Sequence, residues 1–177
     1  MTKRLTAFQA ITALSNVSRA ATSSLDLREV VKETLRALAE GLGIERGMLV
    51  LKDPGSEEAV IEAAHNMSEE EIKRGRYRAG EGVVGRVLAT GEPMIVPNVG
   101  KEPLFLDRTK SRGDIKKSQI SFICVPVKLD NETVGALSVD LSFDEDISFE
   151  EDERILAVAA GYIAQAVRIQ RLVESEK

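Results

Sequence analysis

SFICVPVKLDNETVGALSVDL, from Ser121 to Leu141, is the stretch on which the fold turns. Two runs rich in β-branched and apolar residues, Phe122–Leu129 and Thr133–Leu141, flank Asp130–Asn131, a pair that favours a tight turn. In the second run Leu137 and Val139 share one side, while Ala136, Ser138 and Asp140 share the other, which is the alternation of a strand. The apolar neighbours of Cys124 place it on a central strand.

Working outward, Ser148 and Glu151 have the spacing of a capping box. They predict the start of a long helix, about 149–173, on which Ile155, Leu156, Ala159, Ile163, Ala166 and Val167 recur at helical intervals. Upstream, Met94–Val96 is a short strand ending at Pro97, and 98–114 is an irregular, partly charged excursion. Met48–Leu51 and Ala59–Ala63 form a hairpin around Asp53, Pro54 and Gly55. Residues 67–74 make a short helix capped by Ser68. Two helices open the chain. One, about 6–20, carries Phe8, Ile11, Leu14 and Val17. The other follows Asp26, with Glu29 completing a capping box, and lines Val31, Leu35, Leu38 and Leu42 on one face before Gly41 and Gly43 stop it. Antiparallel strand pairs between terminal helices predict an α+β domain with helices packed on one face of a central sheet.

The 177 residues suit one domain, 43% apolar and 30% charged, the balance of a globular protein. A net charge of −5 supplies no positive excess to displace counterions from a nucleic acid backbone, so no direct DNA binding by this segment is expected. No run has the length of a membrane span and the opening residues lack a secretory pattern, so a cytoplasmic location is the default and no membrane partner is expected. One cysteine and one histidine rule out an intrachain disulfide and make a structural zinc site implausible. No metal and no cofactor is expected.

Catalysis needs a nucleophile, a base and a way to stabilise charge. Cys124 lies among Phe, Ile, Val and Pro and reads as a small buried hydrophobe; the lone imidazole available to activate it is His65. The glycines of 80–85 lack the Lys-Ser/Thr ending of an ATP-binding loop and permit turn geometry and close packing into the next helix instead. The acidic run 144–153 supplies negative charge at a helix start. Arg108, Lys110, Arg112, Lys116 and Lys117 either draw an acidic metabolite or form a solvated loop. No catalytic residue is expected, and the chain reads as no enzyme.

Several stretches together make a more specific pattern: GIERGML from Gly43, YRAGEGVVGRVLATGEP from Tyr77, EPLFLDR from Glu102, SFICVPV from Ser121 and VGALSVD from Val134. The chain resembles GAF domains, and among them the amino-terminal regulatory domain of the nitrogen-fixation transcriptional activators, from about Leu14 to Arg168. The resemblance implies a six-stranded antiparallel sheet with terminal helices on one face and ligand-pocket loops on the other. It implies a sensor that controls an attached sigma-54-dependent ATPase, with 2-oxoglutarate, a nucleotide or an inhibitory partner protein as the signal. Residues 1–177 would then be one regulatory domain and a fragment of a longer activator. The Asn-Lys-x-x-Phe-Asp-Glu run of cyclic-nucleotide-binding relatives is missing. No cysteine stands where bilin-carrying relatives attach their chromophore, and the methionine-sulfoxide reductases built on this fold use several cysteines.

On that resemblance, a pocket between the sheet and 98–119 would hold a small anion. Its candidate contacts are Arg86, Asn98, Arg108, Lys116 and Ser118, with Phe105, Phe122 and Cys124 as apolar neighbours. A homodimer through the terminal helices would use Phe8, Ile11, Leu14, Ile163, Ala166 and Ile169. The competing expectation is a ligand-free dimerisation and protein-docking module.

Overall fold

The computed structural model describes residues 2–106, 108–109, 119–144 and 146–176. In chain order the elements are β1 (Thr2–Lys3), α1 (Ala7–Ala21), α2 (Leu27–Leu42), β2 (Arg46–Lys52), β3 (Glu58–His65), α3 (Glu69–Arg74), β4 (Arg76–Arg78) and α4 (Gly82–Thr90). They continue with β5 (Met94–Val96), a 3₁₀ turn at Val99–Lys101, β6 (Ile120–Leu129), β7 (Glu132–Ser142), β8 (Ile147–Ser148) and α5 (Glu150–Ser175).

The long hairpin is β6–β7, and its turn is the one the sequence predicts. Asp130 and Asn131 have φ of 50° and 69°, the left-handed pair of a type I′ turn that matches strand twist. Around it the strands order as β4-β3-β2-β7-β6-β5, with every neighbour antiparallel. The six-stranded antiparallel sheet expected of the chain is therefore present. β4 and β5 are its edges, three residues each.

Period-two alternation divides the core into two layers. Leu49, Ala63, Ile123, Val125, Leu137 and Val139 point to the helical side, where they meet Val31, Leu35, Leu38, Leu156 and Ile163. Met48, Val50, Ala59, Phe122, Cys124 and Ala136 point to the other, where Tyr77, Val83, Val84, Val87 and Leu88 cover them. α2 and α5 lie on the sheet, and α1 packs across those two helices as an outer layer. Each leucine fully sealed in this way contributes about 1.5–3 kcal/mol; truncating Leu38, which is fully buried, would cost about 2–5 kcal/mol.

The helix starts follow their capping chemistry, with one exception. Ser68 and Glu71 form both halves of a capping box on α3, and Thr6 and Gln9 form another on α1. Asp26 accepts from the Glu29 amide at 3.2 Å, one half of the expected box on α2. The box expected from Ser148 and Glu151 is not formed: Phe149 occupies the cap position of α5 without a side-chain bond. Ser148 is held in β8, paired in parallel with Lys3, so it stands one residue too early. Four acidic residues in the first turn, Glu150 to Glu153, answer the exposed amides electrostatically instead.

The N-terminal strand adds a buried ionic tie. The Arg4 guanidinium donates to the Leu42 carbonyl at the end of α2, and its other terminal nitrogen lies 3.5 Å from Asp152 at the start of α5. Asp152 is only 1% exposed, and loss of solvent raises its pKa, partly offset by Arg4.

Candidate functional site

The face opposite the helices carries a recess between the sheet and α4. Met48 from β2, Tyr77 from β4, Val83 and Val84 from α4, and Phe122 from β6 wall it. Phe105 and Leu106 close it from above. The Phe105 ring stands edge-on to that of Phe122, with centroids 5.0 Å apart and planes at 79°, a favoured aromatic geometry. What remains is a cavity of about 10 Å³, room for hardly more than one water.

Local backbone chemistry makes the closure possible. Gly82, the first residue of α4, has φ of 69°, and a Cβ there would stand 2.9 Å from Leu106 Cδ1 and 3.2 Å from the Leu104 carbonyl oxygen. A side chain would therefore be both strained and in the way. A Cβ at Gly85 would run into the Arg78 carbonyl oxygen. The glycines thus serve turn geometry and close packing, as the sequence predicts.

A second small recess adjoins the first and shares Met48 and Phe122. Arg46, Met67, Thr109, Ser138 and Asp140 line it. Arg46 on β2 and Asp140 on β7 face one another with Nε 3.0 Å from Oδ2, 8% and 2% exposed, and Glu45 stands 3.5 Å from the same guanidinium. The Arg74 side chain donates to the Thr109 carbonyl at 2.8 Å. Tyr77 donates its hydroxyl to Met48 Sδ at 3.6 Å.

The anion-pocket candidates divide sharply. Phe105 and Phe122 come together at the recess. Arg108 reaches its rim, where it pairs with Glu81 at 3.1 Å. Arg86 does not join it: that residue is exposed and lies between the buried Gly85 and Val87 on the outer side of α4. Asn98 is spent on its own turn, accepting from the Gly100 amide at 3.0 Å. Cys124 is fully buried one pleat beyond Phe122, and burial drives its thiol far above the usual range. Lys116 and Ser118 lie outside the described residues. Sequence reasoning missed Met48, Tyr77, Arg46 and Asp140. The signal for Tyr77 was there in Arg76-Tyr77-Arg78, a polar-apolar-polar triplet whose middle residue alone is buried.

The terminal helices correct the dimer candidates in part. Phe8 (79% exposed), Ile11 (67%) and Ile169 (41%) are on the surface, and Leu14 is half-buried against the core. Ile163 and Ala166 face inward instead, 0% and 9% exposed, because the stripe that carries them is the one α5 lays on its own sheet. Val158, Leu172 and Val173 are exposed and were not anticipated. Tyr162 of α5 donates its hydroxyl to Ser18 of α1 at 3.1 Å, so the outward faces of these two helices adjoin.

Among the described residues, no helix is long and apolar enough to cross a membrane. The chain is 40% identical over 163 residues to a Nif-specific regulatory protein of Azospirillum brasilense, covering 91% of this chain and 26% of that one. It is 36% identical over 163 residues to the nitrogen fixation protein VnfA of Azotobacter vinelandii, covering 92% and 31%. The chain thus spans about a quarter to a third of the length of these curated relatives. Its fold matches the GAF domain of nlh2 from A. Aeolicus, solved in an inactive state, at a TM-score of 0.80 and 21% identity, with 92% and 98% of the two chains aligned. It also matches a free methionine-R-sulfoxide reductase from Neisseria meningitidis at 0.77 and 20% identity, with 98% of each chain aligned. The model of the GAF domain covers residues 24–168, which hold the whole six-stranded sheet, α2 and most of α5, and the chain belongs to that family.

Proposed function

We propose that this domain is a regulatory sensor. It takes up a small molecule on the α4 face of its sheet and controls an attached sigma-54-dependent ATPase of a nitrogen-fixation activator by repacking its terminal helices. The observation that carries the reading is the division of β6. Phe122 stands in the recess, while its neighbours Ile123 and Val125 join the layer of α2 and α5. A displacement of Phe122 is therefore felt one residue away on the helical side. To switch anything, the ligand must bind one packing of the helices more tightly than the other. The regulatory relatives support the effector assignment, and a cytoplasmic site of action follows from it. The domain performs no chemistry of its own in this account. Its single thiol is sealed and its pKa raised, which disfavours the thiolate that sulfoxide reduction needs.

The test replaces the matching segment of a Nif-specific relative with residues 1–177 and measures transcription from a sigma-54-dependent promoter. Output that responds to a metabolite, and stops responding when Phe122 is changed to Ala, supports the sensor. Output that is constant under every metabolite condition contradicts it.

A second reading has one observation in its favour. The recess is nearly filled, whereas Phe8, Ile11 and Ile169 leave apolar surface on the adjoining α1 and α5. In that reading the domain is a ligand-free homodimerisation and docking module. Sedimentation of the chain and of Phe8→Glu decides the dimer: a mass of two chains that falls to one in the variant supports it, and a monomer at all concentrations removes it.

A further inference from the structure

We infer that the outward stripe of α5 is an interface with a second copy of this chain, and that the two helices run antiparallel across a two-fold axis at Gln165. The inference rests on the homodimer reading above and fixes how the copies lie. Along the exposed face of α5 stand Arg154, Val158, Gly161, Gln165, Ile169, Leu172 and, at its cap, Glu176, on steps of 4, 3, 4, 4, 3 and 4 that read the same in both directions. Arg154, Gln165 and Glu176 are each about three helical turns apart and so fall in line. In an antiparallel pair about Gln165, Arg154 of each copy faces Glu176 of the other, Val158 faces Leu172, and Gly161 faces Ile169. Gln165 meets its own counterpart, and two side-chain amides can each donate to the other.

Charge and size decide the direction. Parallel pairing would set Arg154 against Arg154 and Glu176 against Glu176, which repels; antiparallel pairing makes both contacts attractive. Glu150, a turn earlier, lies outside the paired stretch. A Cβ at Gly161 would meet nothing within 4 Å, so packing within its own chain does not require this glycine, and glycine weakens an exposed helix. Opposite Ile169 it leaves room for a branched side chain, whereas opposite a second glycine it leaves a void. Area also fits a second copy. At about 1.5 Å per residue and about 10–12 Å of width, the stretch offers roughly 350–400 Å², and a stable interface takes about 800 Å² from each partner. α1 supplies the remainder. It runs in the same direction as α5, because Arg4 before it lies by Asp152 while Ser18 near its end bonds Tyr162. Phe8 and Leu25, the most exposed large apolar side chains among the described residues, therefore sit at opposite ends of this face. The same two-fold carries each toward the other in the second copy.

The test combines sedimentation of the chain with pulsed electron spin resonance of a nitroxide on Ser175→Cys; the native Cys124 is buried and stays unlabelled. Antiparallel copies hold the two labels about 30 Å apart or more, from the helical rise between Gln165 and Ser175 counted in both copies. Parallel copies hold them within about 20 Å, because packed helix axes are close. A second measurement reverses the charges. Arg154→Glu and Glu176→Arg are each expected to weaken the dimer about three- to tenfold, and the double variant Arg154→Glu/Glu176→Arg to restore it to within about twofold. A monomer at all concentrations overturns this inference together with the homodimer reading. A dimer with the short label separation overturns the antiparallel pairing and leaves that reading standing. So does a dimer whose affinity the single variants leave unchanged, or one that the double variant fails to restore.

Discussion

Arg46 and Asp140 meet across the two central strands, Nε to Oδ2 at 3.0 Å, with both side chains almost out of water. The pair holds β2 to β7 on the pocket side, with Glu45 3.5 Å from the same guanidinium. Removing one partner of a buried pair costs about 3–5 kcal/mol; Glu45 leaves Arg46 a second carboxylate, which puts the loss of Asp140 toward the low end of that range. Urea unfolding of Asp140→Ala is expected to show a loss of that order. The double variant Arg46→Met/Asp140→Leu is expected to lose less than the sum of its single changes, because neither charge is then left alone. Additive losses would mean the two residues act independently.

Gly82 and Leu106 are linked by contact rather than charge. Gly82→Ala forces a side chain onto a φ of 69° and into Leu106, at a combined cost of about 1–3 kcal/mol. Thermal unfolding should show the loss. Part of it should return when Leu106→Ala is added, because the collision is then relieved while the backbone strain persists. No recovery would show that the segment does not rest on α4.

The Asp152 carboxyl gives stability a pH dependence. Its raised pKa comes first from desolvation, against which Arg4 acts. An acid whose pKa is higher folded than unfolded favours the folded state below its unfolded value, about 3.9. That contribution is lost as pH rises through the folded value. Asp152→Asn, which cannot ionise, should therefore match the unmodified chain near pH 4 and unfold at equal or higher urea at pH 7. A deficit of the variant that grows with pH would show that the Arg4 attraction outweighs burial.

Cys124 offers a check on the proposal that the domain performs no chemistry of its own. Its thiol is fully buried and its pKa raised by that burial, so labelling by a disulfide reagent should occur at the rate of unfolding rather than at the rate of an open thiol. Free methionine sulfoxide should not be turned over. Prompt labelling of the folded chain, or measurable turnover, would require an exposed and activated sulfur.

The layered fold was legible because its signals are local and repeated. The Asp130–Asn131 turn and the alternation of Leu137 and Val139 against Ala136 and Ser138 each state their geometry in a few residues. β1 and β8, two residues apiece, are too short to show a period, and their pairing is what took Ser148 away from its expected cap. The site was half legible. Phe105 and Phe122 stood out as aromatics in a chain with few, but which arginine enters a recess depends on the face of the element that bears it. Arg86 follows glycines suited to an anion loop and yet falls on the outer side of α4. Arg46, between Glu45 and Gly47 at the start of β2, is the guanidinium that turns inward. Likewise Ile163 and Phe8 look alike as helical apolar residues, and only the packing of α1 over α2 and α5 decides which one remains on the surface.

Amide hydrogen exchange of the full chain, with and without a saturating metabolite to which promoter output responds, tests the central claim most directly. Altered protection along β6 and α4 reports occupancy of the recess. The account predicts that protection also changes along residues 7–21 and 150–175, on the far side of the sheet. An occupied recess with those helices unaltered would contradict it.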